Sequence, residues 1–400
     1  MSISFVRSAV VLGLLACVGP FAIDLYLPAL PRIAEGLETD VAAVQTTFVA
    51  YFVAFGLAQL IYGPLADWLG RKPPIFAGLA IFIAGSVICM MAPDIGWLTF
   101  GRFVQATGAA AVMVVPRAII RDLHTGVQAT RLMALIMLVI SISPMLAPLI
   151  GSGIIAYADW RMIFGALIAL GAFSFVLTAV QLPETLDKSL RIPVRPGILL
   201  KGCIQLIRDM KFMGLTLIGG FGMASFFVFI ASASFVYMGE YGLSPVGFSL
   251  AFAANAVGFF GASQFAASLS QRFGMARMVL VASVGFAAFT GTLFVLVVSG
   301  FSSLPLVMAF LFLGNACFGL VMAPTMVMAL EDHRENAGLA SSLGGTLQMV
   351  AGGIMIFLSQ PFFDGSAAPM AGSIAVCALI SAILAILTLG LPKGSELPAE

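Results

Sequence analysis

Twelve apolar runs, each about as long as a bilayer is thick, leave this chain of 400 residues few ways to fold. They lie near residues 8–30, 43–66, 74–92, 97–118, 131–157, 161–182, 212–238, 246–269, 276–299, 303–329, 337–362 and 370–391. About 20 helical residues cross a hydrocarbon core, and a helix satisfies its own backbone polar groups in lipid. The expected fold is therefore an all-α integral membrane protein with twelve transmembrane helices. Composition agrees: 9% of residues are charged and 61% hydrophobic, against about 25% charged in soluble domains. Connections are short except over residues 183–211, a polar, proline-containing stretch that divides the runs six and six. We expect a six-helix bundle over 1–183, a linker over 184–210 and a second bundle over 211–400.

Loop cations set an expected orientation. Arg7, Arg71, Lys72, Arg121, Arg131, Arg272, Arg277, Arg334 and Lys393 fall on one side, joined by linker residues Lys188, Arg191, Arg195, Lys201, Arg208 and Lys211. Only Arg32 and Arg161 face them on the other side. By the positive-inside rule, the linker and both termini are cytoplasmic.

Two ionisable residues sit inside apolar runs. Asp24 is the sole ionisable group of its run and Arg102 lies within the fourth. A charge in hydrocarbon costs roughly 2.5–3.5 kcal/mol even on insertion scales, so such residues mark function by default. Desolvation favours a carboxyl group's neutral form and a nearby guanidinium favours its anion. If Arg102 approached Asp24 in only one conformation, the acid would alternate between holding and releasing a proton. Proton coupling is thus the expected role of the pair. The competing readings put Asp24 near headgroup water and let Arg102 snorkel to the outer surface.

Weak internal symmetry points to a duplicated half. Gly56 and Gln59 in run two correspond to Gly261 and Gln264 in run eight; Pro116 in run four corresponds to Pro324 in run ten. His124 and His333 follow those prolines in matching loops. In run five, Pro144 and Pro148 remove backbone donors and Gly151 permits close approach, so these three are candidate hinge positions.

Several function classes find no support. Cys17, Cys89, Cys203, Cys317 and Cys377 are scattered without redox or metal spacing. Leu14 to Cys17 loosely matches a lipoprotein cleavage site, but the apolar run continues past it. There is no phosphate-cradling loop, no arguable nucleophile–base pair and no metal constellation, so neither enzyme activity, cofactor nor bound metal is expected. A net charge of +1 without a basic patch offers nothing to nucleic acid.

Several stretches carry a family resemblance. Gly63-Pro-Leu-Ala-Asp67-Trp-Leu-Gly70-Arg71-Lys72-Pro73, after run two, resembles the signature of the major facilitator superfamily. Arg102-Phe-Val-Gln105-Ala-Thr-Gly108 is similar to that superfamily's second motif. Pro144-Met-Leu-Ala147-Pro148-Leu-Ile-Gly151-Ser-Gly153 resembles its antiporter motif, with Ala147 where glycine is usual. Asp24-Leu-Tyr-Leu-Pro-Ala-Leu-Pro31 resembles the first span of the bicyclomycin-resistance (Bcr/CflA) drug:proton antiporters, as do segments around Phe235–Asn255 and Ala337–Gly344.

The resemblance implies a major facilitator fold in a bacterial inner membrane. It implies proton-coupled, alternating-access efflux of a small, mostly apolar drug by a monomer. A native metabolite such as an amino-acid derivative or sugar is the alternative substrate, and a non-transporting receptor or subunit the more distant reading. Asp67, with Gly63, Gly70, Arg71 and Arg121, is expected to latch the halves by meeting the start of run eleven, where a helix N-terminus favours an anion. Tyr26, Tyr51, Phe55, Gln105, Phe226, Phe229, Asn255, Asn315 and Gln348 are candidate substrate contacts, with Tyr237 a further aromatic. Gln45 and Gln59 are expected to bond helix to helix.

Overall fold

A computed structural model describes residues 5–124, 126–194, 196–333 and 336–390. Of the cations used for orientation, Arg195, Arg334 and Lys393 lie outside these residues. Twelve helices are long and apolar enough to cross a membrane, as the twelve runs require. The first span is α1 (Phe5–Asp24) and α2 (Leu30–Gly36), joined through a 3₁₀ turn at Leu27–Ala29. The next five spans are α3 (Val41–Leu69), α4 (Lys72–Met90), α5 (Ile95–Leu123), α6 (Gly126–Tyr157) and α7 (Met162–Gln181). A linker helix, α8 (Pro196–Arg208), leads into α9 (Met210–Ser234), which a π turn extends to Glu240. Then come α10 (Pro245–Ser263) with α11 (Ala266–Phe273), α12 (Met275–Val298), α13 (Leu304–Glu331), α14 (Ala337–Ser359) and α15 (Ala367–Leu389).

Local chemistry sets several boundaries. Asp40 and Asp94 cap α3 and α5, accepting from Ala43 N at 2.7 Å and Trp97 N at 2.9 Å. Gly70 (φ 97°) ends α3 and Gly274 (φ 82°) separates α11 from α12. Both adopt backbone that side chains resist, and they turn the chain at equivalent points six spans apart.

The packing repeats in the same way. In the first six spans α1 packs on α6, α3 on α5, α4 on α5 and α4 on α7. Six spans later the same pairs recur as α9 on α14, α10 on α13, α12 on α13 and α12 on α15. The halves meet along α3 with α14 and α6 with α10, again an exchange-symmetric pair. The duplication suggested by a few matched residues is therefore a property of the whole packing scheme.

Hydrogen bonds between the halves are unevenly placed. Ser152 donates to Pro245 O at 2.8 Å and lies 2.8 Å from Ser249 Oγ. Gln45 donates to Ala231 O at 3.3 Å and Ser232 Oγ at 3.2 Å, and Gln360 to Thr46 at 3.3 Å. Thr346 donates to Gly56 O at 2.6 Å, near mid-depth. Among the described residues, every such bond lies at mid-depth or on the side away from the linker. That far side is the sealed one.

The linker differs from its expected form. It contains a 3₁₀ turn at Lys188–Leu190 and the four-turn helix α8. Leu199, Cys203 and Leu206 recur at helical spacing, and Leu206 is buried where α8 packs on α9 and α14. A short amphipathic pattern inside a polar stretch is easily read as loop.

Candidate functional site

The site begins at the break in span one. Pro28 has no N–H for the Asp24 carbonyl and Pro31 none for that of Leu27, so α1 stops at Asp24 and the chain restarts as α2. The break is roofed by α6, where a Cβ at Gly151 would collide with the Leu25 carbonyl oxygen. Asp24 is consequently inside the protein, 3% exposed, rather than at headgroup level. Ser143 Oγ, also on α6, donates to its carboxylate at 3.2 Å. Among the described residues Asp24 makes no ion pair. A buried acid with one hydroxyl partner and no cation is costly as an anion.

Arg102 is fully buried on α5, so snorkelling does not describe it. Its Nη1 donates to Ala22 O at 2.9 Å and to Gln105 Oε1 at 2.6 Å. Gln105 in turn donates to Ser86 Oγ at 2.8 Å. The guanidinium lies 4.3 Å from the Tyr51 ring centroid, 4.6 Å from Tyr26 and 6.0 Å from Phe48. Such desolvated cation–π contacts are worth about 2 kcal/mol. Tyr26 and Tyr51 are themselves fixed, at 3.2 Å from Thr47 Oγ1 and 3.3 Å from Gly19 O. Nε and Nη2 of Arg102 are buried with no hydrogen-bond partner among the described residues. Arg102 thus grips α1 two residues before Asp24 without pairing with the acid.

The candidate substrate contacts fall into two groups. Tyr26, Tyr51, Phe55 and Gln105 surround Arg102 or stack beside it, with Phe55 6.0 Å from Tyr51. Phe226, Phe229 and Asn255 gather in the second half, where Phe229 stacks on Phe252 at 5.5 Å and Asn255 donates to Tyr237 Oη at 3.4 Å. Phe52 and Phe227 stack face to face at 3.9 Å and join the groups across the halves. Neither residue stood out in the sequence, because their pairing exists only once the halves meet. Asn315 is buried on α13 apart from these contacts, and Gln348 lies half-buried against Gly219. Arg117, which no motif marks in the sequence, is a half-buried cation on α5 that joins no ion pair among the described residues.

At the linker end the signature loop forms a charged cluster. Arg71 donates to Asp67 at 2.6 Å and to both oxygens of Asp122, at 2.7 and 3.1 Å. Burial alone would lower the Arg71 pKa; the hydrogen bonds to Asp122 and Asp67 outweigh it and raise it. Glu184, at the start of the linker, accepts from Arg71 N at 2.8 Å and Lys72 N at 3.1 Å, capping α4. Thr185 donates to Asp122 at 2.9 Å and Ile192 N to the Asp67 carbonyl at 3.0 Å. Asp67 remains half exposed and bonds no residue at the start of α14 among those described. The contact expected of a latch is thus not made among the described residues, on the side opposite the seal. Arg121 is exposed and outside the cluster; its neighbour Asp122 takes the pairing, since a one-residue step on a helix turns the side chain by about 100°. Gly63 approaches Ser342 of α14. Pro144 and Pro148 lie within α6, which is assigned as one helix throughout, and Gly151 serves close approach to the span-one break.

Comparison with known proteins agrees with this architecture. A profile of the Major Facilitator Superfamily matches residues 12–356. An uncharacterized MFS-type transporter of Bacillus subtilis is 33% identical, over 94% of this chain and 93% of its own. A bicyclomycin resistance protein homolog of Haemophilus influenzae is 30% identical, over 93% of each. The solved structure of the nucleoside transporter NupG, in a D323A mutant, superposes with a TM-score of 0.74 at 13% identity, covering 96% of this chain and 98% of that one. Twelve spans in two equivalent halves, a signature loop at the linker end and full-length relatives of the same kind place this chain in the Major Facilitator Superfamily, as a membrane transporter and not an enzyme.

Proposed function

We propose that this transporter exports small, mostly apolar antibiotics or related xenobiotics in exchange for protons, by alternating access, with Asp24 carrying the proton. The observation that carries the reading is the burial of Asp24 at a helix break, with Ser143 as partner and no ion pair among the described residues. In this state the acid is stable protonated; a rearrangement that brought water or a cation to it would favour release. Arg102 regulates the exchange by holding α1 at Ala22. The similarity to a bicyclomycin resistance protein homolog supports an antibiotic substrate, and the aromatic groups around Tyr51 and Phe229 suit a neutral or weakly polar one. Taking the linker and termini as cytoplasmic in a bacterial inner membrane, the far-side hydrogen bonds support an inward-facing state, and we take the transporter to act as a monomer.

The energetics are adequate. A proton-motive force of about 150 mV gives roughly 3.5 kcal/mol per proton, enough for a drug gradient of a few hundred-fold at about 1.4 kcal/mol per tenfold. The second reading, export of a native metabolite, rests on the same architecture and the same acid. An efflux-deficient host expressing the chain, tested against a drug panel, separates the two: unchanged susceptibility to every compound favours the metabolite. In vesicles with an imposed pH gradient, Asp24→Asn abolishes uphill efflux while the protein still inserts and still exchanges drug downhill. Uphill efflux by Asp24→Asn would remove Asp24 as the carrier.

A further inference from the structure

The linker helix α8 carries three stripes of distinct chemistry, and Gln205 with the exposed Ile198 of its first turn completes the circumference. Leu199, Gly202, Cys203 and Leu206 face the protein, where a Cβ at Gly202 would come within 2.5 Å of Leu339 on α14. Next round the helix stand Leu200, Ile204 and Ile207, which are 63%, 41% and 47% exposed. Their spacing of four and three residues puts them on one face. Beyond them come Lys201 and Arg208, both exposed, and the helix contains no acidic residue. Neither cation joins an ion pair among the described residues. After Arg208 the chain passes through Asp209 directly into the spanning helix α9, so α8 lies at the level where the spans leave the bilayer.

Exposed leucine and isoleucine beside unpaired cations is unfavourable in water and favourable at a lipid interface. An amphipathic helix there buries its apolar face about 5–10 Å into the headgroup and acyl boundary, while cations at its edge meet anionic headgroups. We propose that α8 lies in the bilayer interface on the linker side, with Leu200, Ile204 and Ile207 in the acyl boundary and Lys201 and Arg208 on anionic phospholipid headgroups. The charge complementarity selects anionic lipid: each cation near an anionic surface gives about a fivefold preference. Because α8 packs on α9 and α14, the lipid composition of that leaflet then bears directly on two helices of the second half. This assignment requires only that the spans cross a bilayer and is independent of substrate or proton coupling.

The test uses the full chain in vesicles of phosphatidylcholine alone or with 30% phosphatidylglycerol by composition. Spin labels at positions 200, 204 and 205 are compared for collision with oxygen and with a water-soluble nickel chelate. Labels at 200 and 204 should report the acyl boundary and the label at 205 water. Phosphatidylglycerol should raise the docked-to-undocked ratio several-fold, and Lys201→Gln with Arg208→Gln should abolish that rise. Should cysteine replacement impair folding, hydrogen exchange over 196–208 in the unmodified chain gives the same comparison, with slower exchange expected in the anionic vesicles. Equal water exposure at 200, 204 and 205, or spin–spin broadening showing a second copy on this face, would overturn the proposal. So would exchange over 196–208 that is identical in the two vesicle types.

Discussion

Ser143 donates to the buried carboxylate of Asp24 at 3.2 Å, and nine residues further along α6 Ser152 reaches the other half at Pro245 and Ser249. One helix therefore holds both the acid and a bond of the far-side seal. Gly151, between them, lies directly against the span-one break that positions Asp24. A movement of α6 relative to α1 cannot leave the surroundings of the acid unchanged. If Asp24 carries the proton as proposed, this connection, rather than an Asp24–Arg102 pair, would link protonation to alternation.

Loss of the Ser143 hydroxyl should therefore weaken coupling without removing the carrier. A hydrogen bond to the neutral acid is worth about 0.5–1.5 kcal/mol, so Ser143→Ala should slow uphill efflux by roughly two- to tenfold. Downhill exchange should be much less affected, and Ser143→Thr should restore efflux by restoring the hydroxyl. Wild-type uphill rates in Ser143→Ala vesicles would show that the contact is incidental.

The two neighbouring glycines of α6 should respond oppositely to alanine. At Gly151 a methyl group meets the Leu25 carbonyl and Pro28, whereas at Gly153 it meets nothing within 4 Å. Overpacking costs about 1–3 kcal/mol, while alanine in place of helical glycine gains up to about 1 kcal/mol. Thermal unfolding in detergent should show a lower transition for Gly151→Ala and an equal or higher one for Gly153→Ala. Equal destabilisation by both would contradict the close approach at the break.

The seal on the far side should loosen when Ser152 is truncated. Its hydroxyl bonds Pro245 O and Ser249, and each net hydrogen bond contributes about 0.5–1.5 kcal/mol. Ser152→Ala, losing both, should shift the population toward far-side opening by roughly five- to 150-fold. Paired spin labels at Tyr157 and Val246, both exposed at that end, would report a larger long-distance fraction. An unchanged distance distribution would place the seal elsewhere, first of all at the Phe52–Phe227 stack.

The spans were legible because bilayer crossing is a local property: a run of apolar residues declares it without reference to any partner. Asp24 and Arg102 were legible for the converse reason, as charges that such runs do not tolerate idly. What the sequence could not show is pairing between distant segments. Arg121 and Asp122 both sit at the end of run four, and only helix phase decides that Asp122 rather than Arg121 joins the signature cluster. In this conformation Arg102 bonds Ala22 and Gln105 rather than Asp24, a choice of partner that neither residue's position in its run declares. Glu184, which caps α4 from the linker, and the Phe52–Phe227 stack depend on contacts formed only in the assembled fold. Helix α8 escaped because its amphipathic pattern is too short to read as a span and lies in a proline-containing stretch that begins with polar residues.

At the linker end, Asp209 supplies a pH-sensitive anchor between α9 and the loop after α13. Its Oδ1 caps α9 by accepting from Lys211 N at 2.9 Å and Phe212 N at 3.1 Å, and its Oδ2 accepts from His333 Nε2 at 3.0 Å. Lys211 pairs with Asp332 beside it at 2.7 Å. The Phe212 N–H, then the Lys211 N–H and His333, hold the Asp209 carboxyl below the ordinary carboxylate range. A group with a lowered folded pKa stabilises the fold above its unfolded value, about 3.9 for aspartate, and that stability is lost as pH falls through the lower folded value. Hydrogen-exchange protection at the start of α9, corrected for intrinsic rates, should thus be constant above about pH 4 and decline below it. Asp209→Asn keeps a capping oxygen but cannot titrate, so it should flatten the profile, whereas Asp209→Ala should lose about 1 kcal/mol of local protection at neutral pH. A profile for Asp209→Asn that still falls like the wild type would assign the acid sensitivity to another group, Asp332 being the nearest carboxylate in the same cluster.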